Sequence, residues 1–330
     1  MTRPSRLSVA VVQGGPSTEA EVSRASARGV ATALEHAGHQ AVRLEINAFL
    51  AESLRSGGYD VVFPVAHGAV GEDGSLQGLL EVLDLPYVGS GLLASALAMH
   101  KRVARIVFAH AGLAIPEGMT FSRGGAAAAR AAAERARRSL GQRLVVKPSS
   151  QGSAIGVTRL EQDAPTSDVA RAIEAAWALD EFALVEDLVA GREVTCGVLD
   201  TGSLLPLPPT EIISPSDAFY TYQARYIPGR SVHICPADLS AGMTRLVQEV
   251  ASAAHRALGC RDLSRVDFVV GEDAVTLLEV NTLPGMTATS LYPEAAAAAG
   301  FSMGQLCDAL VRHAHTRGAT NRLPAVPLPR

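Results

Sequence analysis

The sequence has few of the features that mark membrane, secreted or nucleic-acid-binding proteins. Its four cysteines, Cys196, Cys235, Cys260 and Cys307, are scattered without metal-ligand spacing, so neither a zinc site nor a disulfide framework is indicated. The net charge of −4 lacks the basic excess that would attract nucleic acid or an anionic membrane. The apolar run at residues 7–12 is too short for a secretion signal, and no run is long enough to span a bilayer. These absences predict a cytoplasmic protein.

What the chain does have is the composition of a globular α/β protein. Its 330 residues, 48% of them hydrophobic, are enough for two or three packed subdomains. Alternating short apolar segments and helical stretches predict a parallel sheet with crossover helices. The predicted strands of this sheet are residues 7–12, 41–46 and 59–66, and the predicted helices are residues 19–38 and, as one helix, 92–110.

The strongest chemical signal lies in two later strands, which the Gly-Glu-Asp turn at residues 271–273 joins into a predicted hairpin. Residues two apart on a strand face the same way, so Arg265 and Asp267 share one face, as do Glu279 and Asn281. Carboxylate and amide oxygens of this kind are suitable ligands for Mg²⁺ ions that also hold phosphate. A surface hairpin with ion-paired charges is the alternative.

The apolar residues of the hairpin complete this prediction. Val266, Leu278 and Val280 are expected to face the core. A Gly/Pro turn follows at residues 281–287, and its backbone N–H groups can bind an oxyanion. This turn favours the metal site over the ion-paired surface hairpin.

A second signal is the sequence KPSSQGSAIG at residues 147–156. Lys147 ends an apolar strand, and the amides of the small-residue loop after it can surround a phosphate. The segment does not match G-x-x-x-x-G-K-[ST], and by itself it is equally compatible with an ordinary flexible turn. Combined with a Mg²⁺ hairpin, it favours nucleotide binding.

Two further residues follow strands of the parallel sheet, at the edge where ligands bind in such folds. His67 follows the third strand, although a single histidine is more often structural. Glu19 lies in the first helical turn after Gly14 and Gly15, where it can face a ligand or complement the helix dipole. Glu45 ends the second strand and could imitate the ribose carboxylate of an NAD site, but the G-x-G-x-x-G fingerprint is absent.

Taken together, the motifs resemble those of D-alanine–D-alanine ligases in the ATP-grasp superfamily. GGPSTEAEVS, HGAVGEDGSLQG, LPYVGSG, KPSSQGSAIGV, RVDFVV and LEVNTLPGMTATS occur in the order of that family, from about residue 7 to about residue 307. The combination of HG-x-x-GEDG-x-LQG with E-x-NT-x-PGMT is highly specific.

The resemblance implies an α/β (α+β overall) ATP-grasp fold with a Rossmann-like N-terminal domain. The implied divisions are residues 1–100 for that domain, 101–190 for a small central subdomain, 191–318 for a C-terminal subdomain with the Mg²⁺ site, and 319–330 for a disordered tail. The implied reaction joins two D-alanines through a D-alanyl phosphate for peptidoglycan precursor synthesis. ATP and two Mg²⁺ ions, replaceable by Mn²⁺, are the implied cofactors, and a homodimer without nucleic-acid or membrane partners is the implied assembly.

Family roles extend to the matching positions of this chain. The implied substrate-binding residues are Glu19, His67, Ser290 and Leu291. The implied catalytic residues are Glu19, Ser153, Tyr226, Arg265 and Gly285. The implied nucleotide-binding residues are Lys101, Lys147, Ser153, Glu186, Val189, Glu193 and Arg225. The implied metal ligands are Asp267, Glu279 and Asn281.

Several residues depart from the family pattern, and they leave other functions open. Arg225 stands where a lysine is usual before the loop tyrosine, His100 stands where an acidic or amide residue is usual, and Ala154 replaces a common serine. Leu283 and Thr289 are milder changes. The alternatives are a related ligase with another amino or hydroxy acid acceptor, a nicotinamide-dependent oxidoreductase, and an inactive amino-acid-binding protein.

Overall fold

Three β-sheets with flanking helices make up the computed structural model, which describes residues 6–215, 225 and 229–319. The first sheet is parallel, as the sequence predicts, and its strand order is β2-β1-β3. Its strands are β1 (Ser8–Gln13), β2 (Gln40–Glu45) and β3 (Val61–Pro64), and its crossover helices are α1 (Ala20–His36) and α2 (Leu50–Ser56). The central strand β1 is almost entirely apolar because helices cover both faces of a parallel sheet.

The region after this sheet contains three short helices, and it corrects one prediction. They are α3 (Ser75–Val82), α4 (Leu92–Met99) and α5 (Lys101–His110). The single helix predicted over residues 92–110 is wrong, because the chain leaves helical geometry at His100, where ψ is 87°. There the Lys101 amide donates to the Ser149 carbonyl at 2.9 Å, and His100 Nδ1 lies 2.8 Å from Ser150 Oγ. Contacts with a distant loop therefore decide where α5 begins.

The central sheet is antiparallel, with strand order β4-β7-β5-β6. Its elements are β4 (Gly118–Ser122), α6 (Ala126–Ser139), β5 (Leu144–Pro148), β6 (Thr158–Leu160), α7 (Thr166–Leu179) and β7 (Phe182–Asp187). The buried alanines of α6 let it pack closely on α7, and Trp177 fills the space between α7 and the sheet. The sequence analysis did not predict α7.

The C-terminal sheet is also antiparallel, with order β11-β10-β8-β12-β13 and β9 paired to β8. Its strands are β8 (Arg192–Asp200), β9 (Leu204–Pro206), β10 (Thr210–Ile213), β11 (Val232–Ile234), β12 (Asp262–Val270) and β13 (Val275–Asn281), and its helices are α8 (Ala241–Leu258), α9 (Leu291–Ala298) and α10 (Met303–Arg317). Ser240 caps α8 at its start, and Gly259, with φ of 71°, ends it.

The last helix joins the C-terminal part of the chain to the first sheet. Leu306 and Leu310 of α10 are fully buried in one core with Val9 and Leu34. Burial of each leucine contributes roughly 2 kcal/mol relative to an exposed position. Helix α10 therefore packs between the parallel sheet and the C-terminal sheet and joins them through one core. Within the described residues, no helix is long and apolar enough to cross a membrane.

The predicted hairpin forms between β12 and β13, but one residue of it faces differently than expected. Val266 and Val280 are buried opposite each other, as predicted. The pairing then shifts after Asp267, so that Phe268 lies opposite Leu277 and Leu278 is the extra residue of a β-bulge. Leu277 is fully buried, whereas Leu278 is half-buried and lines a pocket. The prediction that Leu278 faces the core is therefore wrong.

Candidate active site

Two cavities lie next to each other where the three sheets meet. The larger has a volume of about 490 Å³ and lies between the carboxyl edge of the parallel sheet and the β13–α9 loop. The smaller has a volume of about 140 Å³ and lies between the central and C-terminal sheets. Lys101, Arg225 and Glu279 line both cavities. A group transferred between molecules in the two cavities would pass these three charged side chains.

Glu19 and Ser153 close one side of the larger cavity. Glu19 immediately precedes α1 and is buried, and the Ser153 hydroxyl donates a hydrogen bond to its carboxylate. Ser153 and Ala154 both have positive φ, 50° and 58°, a conformation that is costly for residues with side chains. The tight loop between β5 and β6 thus brings a hydroxyl to a carboxylate 134 residues away.

His67 lies deeper in the same cavity, where the sequence places it. Burial by itself would lower its pKa, but the carboxylates of Glu72 and Glu19 more than offset this and raise the pKa of His67 above its usual 6.5. Glu72 also accepts from the Gly68 amide at 2.8 Å, which fixes its position. The Nε2 atom of His67 is buried and has no hydrogen-bond partner among the described residues. The imidazole lines the larger cavity together with Glu19 and Glu72.

The end of β2 does not form a dinucleotide site. The Glu45 carboxylate accepts from Arg24 Nε at 3.0 Å and from Gln13 Nε2 at 3.1 Å. Its side chain also fills the space where a Cβ on Gly14 would lie. The carboxylate that could have bound a ribose is already engaged within the protein, which removes the main support for the nicotinamide hypothesis.

Hydrogen-bond donors line the other side of the larger cavity. Arg265 is buried and donates to both carboxylate oxygens of Asp267, each at 2.9 Å, so its guanidinium is fixed in orientation. Ser290 immediately precedes α9, and its hydroxyl accepts from the Thr287 amide at 3.1 Å. A Cβ on Gly285 would lie 2.8 Å from this hydroxyl, so a side chain there would displace it. The N-terminus of α9, beginning at Leu291, can thus bind a carboxylate.

The hairpin offers a set of hard oxygen donors at the junction of the cavities. Asp267 lies opposite Glu279, and Asn281 lies opposite Arg265, so all four share the face that the sequence predicts. Asn281 Oδ1 accepts from the Leu283 amide at 2.9 Å, which leaves its second lone pair for a ligand. Within the described residues, no three His, Cys, Asp or Glu side chains form a metal-binding group. The set of two carboxylates and one amide oxygen fits Mg²⁺.

Charges around Glu279 keep it ionised. Burial alone would raise its pKa, but the positive charges of Lys101, Arg225 and Lys147 lower the pKa of Glu279 to about 2. Lys101 Nζ lies 3.1 Å from the carboxylate and also donates to the Gln151 carbonyl at 2.7 Å. One lysine therefore connects the hairpin to the loop between β5 and β6.

The smaller cavity combines cationic side chains with apolar walls. Lys147 pairs with the buried carboxylate of Glu186. Arg159 Nη2 lies 2.7 Å from Glu193 on the opposite wall. Ile155, Val189, Phe268 and Leu278 are among the apolar residues of the lining. Apolar walls suit an aromatic base, and the lysines suit phosphates.

The structure brings together every predicted site residue that it describes, each on the wall of one cavity or of both. Tyr226 lies outside the described residues. Arg159 was not predicted from the sequence, and Leu278 was assigned to the core rather than to the site. Nothing in the sequence marks Arg159, whose role depends on a contact with a residue 34 positions away, and Leu278 reaches the cavity only because of the bulge.

Comparisons with known proteins agree with this arrangement. Residues 48–90 match the family model described as D-ala D-ala ligase N-terminus, and residues 107–312 match the one described as D-ala D-ala ligase C-terminus. The chain is 42% identical to the D-alanine–D-alanine ligase of Desulforudis audaxviator, over 94% of this chain and 99% of the relative. It is also 42% identical to the ligase of the same name from Methylorubrum populi, over 93% and 97% of the two chains.

Solved structures with the same fold extend the comparison. The D-alanine–D-alanine ligase of Bacillus anthracis complexed with ATP superimposes with a TM-score of 0.80 at 26% identity, covering 94% of this chain and 98% of that one. The VanG D-Ala:D-Ser ligase of Enterococcus faecalis superimposes with a TM-score of 0.81 at 31% identity, covering 94% and 100%. Both likenesses extend over all three sheets.

Proposed function

The chain belongs to the family of D-alanine–D-alanine ligases, and we propose that its two cavities divide the reaction of that family between them. It joins two D-alanine molecules into D-alanyl-D-alanine with ATP, in the synthesis of peptidoglycan precursors. In the proposal the larger cavity binds the amino acids and the smaller one binds ATP. The main support for this proposal is the junction of the two cavities, which is formed by the residues that line both of them: Lys101, Arg225 and Glu279.

The nucleotide occupies the smaller cavity with its phosphates toward the junction. Lys101 and Lys147 contact the phosphates, and Arg225 takes the place of the lysine that is usual in the family. Glu186 and the backbone at Val189 contact the adenine, and Glu193 contacts the ribose. This assignment is supported by a lining that combines apolar side chains with the cations Lys101, Lys147, Arg159 and Arg225.

Asp267, Glu279 and Asn281 would hold two Mg²⁺ ions, which Mn²⁺ could replace and which would neutralise phosphate charge. Support comes from the shared face of these three residues and from the low pKa of Glu279. Hard oxygen donors of this kind fit Mg²⁺ better than softer metal ions.

The first D-alanine binds with its ammonium group at Glu19 and its body beside His67. Its carboxylate attacks the γ-phosphorus of ATP, ADP leaves, and a D-alanyl phosphate forms. Lys101 and Lys147 stabilise the negative charge on the transferred group. Ser153 and Tyr226 act with Glu19 to exclude water, which would hydrolyse the acyl phosphate. The hydrogen bond from Ser153 to Glu19 supports this assignment.

The second D-alanine binds with its carboxylate at Ser290 and the Leu291 amide. Its amine, after losing a proton, attacks the acyl carbon and gives a tetrahedral oxyanion. Arg265 and the Gly285 amide stabilise that charge, and inorganic phosphate leaves as the peptide bond forms. The fixed orientation of Arg265 supports its role, because a preorganised donor needs no rearrangement during the reaction.

We further propose a homodimer and a division of the chain near residues 100 and 190. Val82 and Leu93, on the adjacent helices α3 and α4, are 82% and 68% exposed, and they support an apolar contact between two copies. Sedimentation velocity would give a single species of twice the chain mass, and a monomer at micromolar concentration would contradict the dimer.

The proposed division of the chain near residues 100 and 190 is supported by the presence of three separate sheets.

The experiment that tests the proposal supplies Mg-ATP with D-alanine as the only amino acid and measures phosphate release, with the product identified by mass. We expect stoichiometric phosphate and D-alanyl-D-alanine. Turnover that appears only when D-serine or a D-hydroxy acid is added would assign a different acceptor. ATP hydrolysis without any ligated product would contradict the division of the reaction between the two cavities.

A further inference from the structure

The carboxylate of Glu186 is shared between two cations, and only one of them lines a cavity. Lys147 Nζ pairs with Oε2 of Glu186 and faces the smaller cavity. Arg105 Nη1 pairs with Oε1 of the same carboxylate from the other side. The Glu186 side chain is 4% exposed, so solvent contributes little to its stabilisation. The position of this carboxylate is thus set by Arg105 and Lys147 together.

Arg105 is itself held in place by the backbone. Its Nη2 atom donates to the Pro116 carbonyl at 2.7 Å. Gly118 lies opposite Glu186 in the pairing of β4 with β7. A Cβ at Gly118 would lie 2.9 Å from Arg105 Nη2 and 2.9 Å from Glu186 Cγ. The absence of a side chain at Gly118 therefore leaves space for the ion pair between Arg105 and Glu186.

Helix α5 carries Arg105 and Lys101 one turn apart on the same face. The helix is anchored by Ala104 and Phe108, which are buried in the core of the C-terminal sheet. From this helix Lys101 reaches Glu279 of that sheet, whereas Arg105 reaches Glu186 of the central sheet. The helix thus connects the two walls of the smaller cavity.

We propose that Arg105 is a positioning residue for ATP, which acts by holding Glu186 so that Lys147 presents its ammonium group to the phosphates. Arg105 occupies one carboxylate oxygen and leaves the other for Lys147. A lysine has three donors, so one bond to Oε2 leaves two for phosphate oxygens. Without Arg105 the whole carboxylate charge would attract Lys147 and turn its ammonium group away from the nucleotide. The inference rests on the proposed contact of Lys147 with phosphate.

The test compares ATP with adenosine, which lacks the phosphates, by calorimetric titration of the full-length protein. For Arg105→Met we expect ATP to bind about 10-fold more weakly and adenosine to weaken less than ATP, because adenosine loses only the contact with a displaced Glu186, whereas ATP also loses a charge-assisted contact with Lys147. Arg105→Lys should restore part of the loss. Arg102→Met is the matched control, because Arg102 lies on the same helix with an exposed side chain over the Phe182 ring. Equal weakening of both ligands by Arg105→Met would overturn the proposal.

Lys147→Met separates this inference from the proposed function. If Lys147→Met leaves ATP binding unchanged, the phosphate contact of Lys147 is wrong and the inference falls with it. If Lys147→Met weakens ATP but Arg105→Met does not, only the role of Arg105 is wrong. In the Lys147→Met background, Arg105→Met should add little, because both changes act on one contact. Full additivity would contradict the proposal.

Gly118→Ala provides a second variant in case Arg105→Met does not fold. The added methyl group displaces the ion pair and removes no charge. We expect the same selective loss of ATP binding, with the melting temperature measured in parallel. Unchanged ATP binding in a folded Gly118→Ala protein would overturn the role assigned to this ion pair.

Discussion

The two cavities differ in how their charges are arranged, and the difference matches what each one is proposed to bind. The larger cavity, of about 490 Å³, has a carboxylate, Glu19, on one side and the N-terminus of α9 on the other. It can therefore bind the ammonium and carboxylate groups of amino acids. The smaller cavity, of about 140 Å³, is lined by several cations, among them Lys101 and Lys147, and by apolar side chains. It can bind an aromatic base that carries several phosphates.

The cavities also differ in where their walls come from. The larger one requires the parallel sheet, the β5–β6 loop and the segment from β13 to α9 to meet. The smaller one lies between two antiparallel sheets and α5. The junction between them contains Glu279, whose charge acts on both sides. Substitutions at the junction should therefore affect the binding of both substrates, and substitutions elsewhere should affect only one.

The largest expected effect comes from Glu279→Gln, which removes the carboxylate common to both cavities. We expect ADP-forming turnover to fall at least about 100-fold, because a proposed metal ligand is lost and Lys101 loses the carboxylate that it pairs with. A coupled assay of ADP release measures this. Glu272→Gln, in the exposed turn of the same hairpin, is the control. Activity within a few-fold of the unmodified protein would contradict a role for Glu279 at the junction.

An intermediate effect confined to the larger cavity is expected for Ser153→Ala. The change removes the hydrogen bond to Glu19 and keeps the backbone amide of the loop. Loss of a bond to a charged group should raise the KM for D-alanine roughly 10-fold, with ATP affinity changed by less than about twofold. Ser167→Ala, at an exposed site on α7, should change neither quantity. A larger effect on ATP than on D-alanine would reverse the assignment of the two cavities.

The smallest expected effect is a change in the pKa of His67, which lines the larger cavity. Glu72→Gln removes a carboxylate that favours the protonated form of His67, so the pKa of His67 should fall. Histidine NMR signals followed from pH 4 to 9 measure the change. His255 is the internal reference, because burial lowers its pKa to about 4 and it lies outside both cavities. An unchanged His67 titration would show that Glu72 does not control its protonation.

Features that depend on neighbouring residues could be predicted from the sequence. The alternation of β12 placed Arg265 and Asp267 on one face, and the apolar run at residues 7–12 predicted a strand of the parallel sheet. The motifs also indicated the family, since HG-x-x-GEDG-x-LQG and E-x-NT-x-PGMT are continuous in the chain. In each case the geometry follows from residues a few positions apart, because strand alternation and turns are local properties.

Other features arise from contacts between distant segments, and these features could not be predicted from the sequence. The chain leaves helical geometry at His100 because its neighbours bond to the loop at Ser149, and a bulge turns Leu278 toward the smaller cavity. The same holds for Arg105, whose partner Glu186 lies 81 residues away. The sequence by itself determined which chemical groups are present and which strands carry them. Only the tertiary structure decided which of those groups share a cavity, because that depends on packing between sheets rather than on spacing along the chain.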